Sequence, residues 1–70
     1  MLKYKIDVLA ALKAAGYNTT EVQKRIGHSS IQKIRNGAMV GNIVIDRICD
    51  LTGMQPGDII EYISEEDKNE

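Results

Sequence analysis

Apolar residues recur every three or four positions through most of this chain, the spacing of one helical face. Over residues 2–16, Val8, Leu9, Leu12 and Ala15 form such a stripe. Ala10, Ala11 and Ala14 add helix propensity, and Gly16 marks a stop. Lys3 and Asp7 stand four apart on the expected outer side, a pair worth only tenths of a kcal/mol. A second, shorter helix is predicted over 19–26, with Val22 and Ile26 inward, Asn18 or Thr19 as cap and Gly27 as stop. Asn18 and Glu21 stand three apart, as in a capping box. A third helix is predicted over 30–36, with Ser29 as N-cap. There Ile31 and Ile34 face inward, Gln32, Lys33, Arg35 and Asn36 face outward, and Gly37 closes it.

Downstream, Gly41 ends a short linker and Asn42 is read as the cap of a fourth helix over about 43–52. Val44, Ile45, Ile48 and Leu51 are buried, and Cys49 sits at the margin. Gly53 ends that helix, with Met54 in the position of the apolar contact that often follows such an end. Gln55-Pro56 opens a last helical turn, where the missing proline N–H costs nothing, and Asp58 suits the helix dipole there. Ile59, Ile60 and Ile63 fold back on the core. The reading is therefore an all-α domain over residues 1–63. Residues 64–70, Ser-Glu-Glu-Asp-Lys-Asn-Glu, are too polar to pack and form an acidic disordered tail.

Seventy residues without Trp or Phe make one domain with a thin aliphatic core. That leaves little room for a catalytic cleft and favours a module that works through its surface. A single cysteine, Cys49, and a single histidine, His28, 21 residues apart, supply neither a disulfide nor a metal site. No cofactor or small-molecule ligand is implied. Asp7 interrupts any signal-peptide pattern, and no apolar run approaches the roughly 18–20 residues that cross a bilayer. The expected setting is cytoplasmic, with no membrane partner. No Ser-His-Asp or Cys-His arrangement is present, and the chain is not expected to be an enzyme.

The charge is polarised. Residues 1–40 carry seven Lys/Arg against two acids, a net of +5; residues 41–70 carry two bases against eight acids, a net of −6. A phosphate backbone feels local charge, within about 10 Å at ordinary salt. The basic half holds the informative unit: two short helices joined by a few residues containing Gly27, the second presenting hydrogen-bonding side chains. Such a helix fits the major groove. Gln32 can pair bidentately with adenine; Lys33 and Arg35 can pair with guanine or neutralise phosphate; Asn36 can do either job. Thr19, Thr20, Ser29 and Ser30 at helix starts can hold phosphate oxygens. His28 stands at the entry, although a lone histidine in a polar turn is more often simply solvated.

The pattern Thr20-Glu21-Val22-x-Lys24-x-x-Gly27, followed by Ser30-Ile31-x-Lys33-Ile34-x-Asn36-Gly37, resembles the Cro/C1-type, lambda-repressor-like helix-turn-helix family. Residues 45–51 and Gln55-Pro56-Gly57-Asp58-Ile59-Ile60-Glu61-Tyr62 resemble the fourth and fifth helices of its small bacterial members. The resemblance implies a compact five-helix fold and a bacterial or phage transcriptional regulator, of repressor type, binding double-stranded DNA. Gln32, Lys33 and Asn36 would read bases, with His28, Ser29 and Ser30 at the entry, while Thr19, Thr20, Lys24 and Arg35 would position the backbone. It also implies a homodimer on a palindrome; the exposed edge of the fifth helix, around Ile60, Tyr62 and Ile63, is the surface expected to make that contact. One spacing departs from the family pattern: only four positions separate Gly27 from Ile31. Either the turn is shortened or Gly27 is not the matching glycine. A protein-interaction module on the same fold, with little or no DNA binding, is the alternative reading, motivated by that turn and by the acidic half.

Overall fold

The computed structural model describes residues 1–64. Five helices and a two-stranded ribbon follow in the order β1 (Leu2–Tyr4), α1 (Val8–Ala14), α2 (Thr19–Ile26), α3 (His28–Arg35), α4 (Asn42–Thr52), α5 (Pro56–Ile59) and β2 (Ile60–Tyr62). The helices are as the sequence predicts in number and order, and the ribbon is the addition. The acidic tail expected over 64–70 lies, but for Ser64, outside the described residues.

The largest correction concerns residues 2–7, which are not the start of the first helix. Leu2–Tyr4 is a strand, paired antiparallel with β2 so that Leu2 faces Tyr62, Lys3 faces Glu61 and Tyr4 faces Ile60. The ladder continues at both ends, from Lys5 N–H to the Ile59 carbonyl (2.8 Å) and from Ile63 N–H to the Met1 carbonyl (2.8 Å). Lys3 and Asp7 therefore share no helical face. Asp7 instead caps α1, its carboxylate accepting from Ala10 N–H at 3.1 Å. The residues expected on an edge of the fifth helix, Ile60 and Tyr62, lie in β2, and Ile63 follows it.

Two more boundaries move. Asn42 lies inside α4, whose N-cap is Gly41. Ser29 lies inside α3, which begins two residues earlier than expected. Asn18 caps α2 as anticipated, accepting from Glu21 N–H at 2.8 Å. The α5 turn opens at Pro56, with Gln55 N–H donating to the Asp58 carboxylate at 3.1 Å.

The core is wholly aliphatic. Val8 and Leu12 of α1, Val22 and Ile26 of α2, Ile31 and Ile34 of α3, Ile45 and Ile48 of α4, Val40 and Ile59 are buried together. Each of α1 to α4 thus contributes a three- or four-spaced pair and α5 contributes Ile59 alone, and burial of these faces drives the assembly. α1 packs on α3 and α4, and α2 on α3 and α4, so α3 is held from two sides. No buried side-chain polar atom among the described residues lacks a partner. The inner side of the ribbon closes one end, with Tyr4 and Ile60 packed against the cluster.

Candidate nucleic-acid interface

The local sequence makes the turn before α3 unusually tight. Gly27 alone separates α2 from α3, where roughly three or four residues are usual for this motif. Its N–H closes α2 on the Gln23 carbonyl (2.9 Å), and its carbonyl accepts from Ile31 N–H (3.2 Å) to open α3. One residue serves both helices because it adopts φ 92° and ψ 151°, a backbone region that essentially only glycine populates. Of the two readings left open by the Gly27–Ile31 spacing, this geometry is that of the shortened turn.

Along α3 the buried pair Ile31 and Ile34 fixes the rotation of the helix. Ser29, Gln32, Lys33 and Asn36 then fall at i, i+3, i+4 and i+7, one outward stripe, and all four are exposed. His28 and Arg35 flank the stripe and are exposed too, whereas Ser30 is half-buried on its other side. Asn36 is the C-cap of α3, outside the helix proper. His28 and Gln32 are one turn apart, with Gln32 Nε2 3.4 Å from His28 Nε2. The amide N–H donates in the tautomer that leaves this ring nitrogen bare. The end of α3 is firmly closed: Gly37 N–H donates to Ile34 and Ala38 N–H to Lys33, at 3.1 and 2.8 Å, the paired bonds of a Schellman motif.

The α2 residues divide into two groups. Thr20 and Lys24, four apart, share the face opposite Val22 and Ile26, and both are exposed. Thr19 instead lines a groove with Arg35, Lys13 and Asn18 between α1, the head of α2 and α3. Lys13 is the basic residue that helix-by-helix reading left out. Its signal is its place in the last turn before Gly16, but only the packing of α1 on α3 brings it to the same groove as Arg35. Arg25 is also drawn in: its guanidinium lies 5.3 Å from the centre of the Tyr17 ring, within cation–π range.

This polar helix with a buried aliphatic back, stacked behind a second short helix, is the arrangement of a helix-turn-helix. The profile of the Cro/C1-type HTH DNA-binding domain matches residues 5–65 of the chain. The chain belongs to that family. Comparison with curated proteins and with solved structures returns no match. Membership accounts for the helical fold and for a general role in DNA binding. Such Cro/C1-type domains are typically not enzymes, and no helix among the described residues is long and apolar enough to cross a membrane.

Proposed function

We propose that this Cro/C1-type domain is a transcriptional regulator that reads double-stranded DNA with α3 in the major groove. The observation that carries the reading is the exposed stripe Ser29, Gln32, Lys33 and Asn36 on a helix whose opposite side is anchored by Ile31 and Ile34. In this reading Gln32, Lys33 and Asn36 meet base edges, and His28, Ser29 and Ser30 line the entry. Thr19, Thr20, Lys24 and Arg35 hold phosphates. Short recognition modules gain affinity by occupying two half-sites, so two copies on a palindrome belong to the same proposal, with repression by exclusion from the DNA as its simplest outcome. Their contact is placed at the outer end of the ribbon, where Tyr62 is 71% exposed. A cytoplasmic setting without cofactor or small-molecule ligand goes with it.

The deciding experiment is a selection from randomised duplexes followed by fluorescence titration at two salt concentrations. An enriched sequence whose preference is lost in Gln32→Ala and Lys33→Ala supports the reading. Weak, sequence-independent binding that neither substitution changes would leave the interaction-module alternative standing.

A further inference from the structure

A second surface, sharing no residue with the proposed DNA-reading face, runs between α4 and the ribbon. Its floor is apolar and soft, made by Leu2, Met39, Met54 and Ile60. One wall is the outer stripe of α4, where Ile43, Asp46 and Asp50 stand at i, i+3 and i+7. Ile43 is 69% exposed and Leu2, which pairs with Tyr62 in the ribbon, is 48% exposed. The trench is an open groove of about 1080 Å³, and open apolar grooves are the form in which amphipathic helices dock.

Charge selects among polypeptides. Among the described residues, the only charged ones lining the trench are Asp46 and Asp50, one turn apart and exposed. A second copy meeting the trench through its own trench would set these carboxylates against themselves, since no Lys or Arg among the described residues lines it. Methionine-lined floors adapt to varied apolar side chains, and a helix laid in a groove anchors through residues spaced three and four apart. We propose that this trench docks a basic amphipathic helix of another protein, its apolar face on Leu2, Met39 and Met54 and its cations over Asp46 and Asp50. The inference does not depend on DNA binding and would give a small regulator a means of recruiting, or being controlled by, a partner.

The test uses the full chain and two labelled 18-residue peptides with the same apolar face, one Leu/Lys and one Leu/Glu, followed by fluorescence anisotropy. The Leu/Lys peptide binds about tenfold tighter than the Leu/Glu peptide at low salt, as expected for two exposed carboxylates, and the preference shrinks as salt rises. Ile43→Ser weakens both peptides, whereas the double variant Asp46→Asn, Asp50→Asn removes the preference. All three positions are exposed, so folding is retained, and thermal melts confirm it. Titration of the same variants with duplex DNA, expected unchanged, separates this surface from α3. Absence of Leu/Lys binding, or binding that neither variant weakens, overturns the proposal. So does sedimentation showing that Ile43→Ser abolishes self-association, because the occupant is then a second copy.

Discussion

The Tyr4 hydroxyl, on the first strand, donates to the Ala38 carbonyl at 2.8 Å, 34 residues away. Ala38 is the residue whose N–H closes the end of α3. The ribbon thus latches the loop by which the polar helix leaves the core. Burial raises the Tyr4 hydroxyl above its ordinary pKa, and a bond to the Val40 backbone opposes this only in part. Tyr4→Phe removes one hydrogen bond and should cost about 0.5–1.5 kcal/mol. The melting temperature then falls by several degrees, at roughly 4–8 °C per kcal/mol in a domain this small. The raised pKa fixes the sign of the pH effect. The Tyr4 contribution is fully present below about pH 10, the unfolded value, and is lost as pH rises through the higher folded value. Wild type and Tyr4→Phe should therefore converge above pH 10, measured by urea titration across that range.

That latch also marks where local reading of the sequence stops. Val22 and Ile26, Ile31 and Ile34, and Ile45 and Ile48 announce their helices because spacing alone places them on one face. Leu2, Tyr4 and Ile6 alternate with Lys3, Asp7 and Lys5 between and beyond them, a period of two that is equally visible. Val8, Leu9 and Leu12 extend a helical stripe backward over them, and the partner strand lies nearly sixty residues downstream. A pairing so distant has no local signature. The polar stripe of α3 was legible for the same reason as its apolar back. Its starting point was not, because Ser29 is a better cap by type than Gly27, and only the one-residue turn makes glycine obligatory. Lys13 joined the basic groove through tertiary packing, which no single-helix pattern encodes.

The Gly27 conformation carries the next prediction. An added Cβ at Gly27 meets no neighbouring atom within 4 Å, so the penalty for Gly27→Ala is purely backbone strain at φ 92°, about 1–3 kcal/mol. Relief of that strain requires α3 to swing or α2 to fray. The variant should melt lower and lose affinity for the selected duplex by more than its loss of stability explains at a temperature where it remains folded. An unchanged melt would show that the backbone takes another path through the turn.

Gln32 and Lys24 should fail in different ways. Gln32→Ala removes a base-reading amide, costing about 1–3 kcal/mol on the preferred sequence and little on others. Lys24→Ala removes a phosphate contact, weakening all duplexes alike and reducing the slope of log K against log salt by about 0.9. Titrations of both variants on matched and scrambled duplexes at several salt concentrations separate the two. An equal change in salt slope would overturn this division of roles between α3 and α2.

Cys49 reports on the trench. Burial raises its thiol pKa, and the carboxylates of Asp46 and Asp58 raise it further. The thiolate is the reactive form, so alkylation by iodoacetamide at pH 8 should be several-fold slower in the folded chain than in urea. The Asp46→Asn, Asp50→Asn variant removes one of the raising carboxylates and should react faster than wild type while still folded. Equal rates would place the thiol outside the field of Asp46.

Ile59 joins the helical core to the ribbon. Its side chain is fully buried, and its carbonyl accepts from Lys5 N–H one residue beyond β1. Ile59→Ala leaves a cavity at that junction, and such truncations cost about 2–5 kcal/mol. A domain of this size has total stability at or below the lower end of roughly 5–15 kcal/mol, so the variant should be largely or partly unfolded at 25 °C. Met54→Ala, at a half-buried position on the neighbouring surface, should cost much less. Equilibrium urea unfolding distinguishes two routes of failure. A lower midpoint at unchanged slope means that ribbon and helices unfold together, whereas a reduced slope means that the ribbon has already detached in the folded variant. The first outcome is expected, because Tyr4 and Ile60 are packed into the same cluster as Ile59 and cannot leave it without exposing the core.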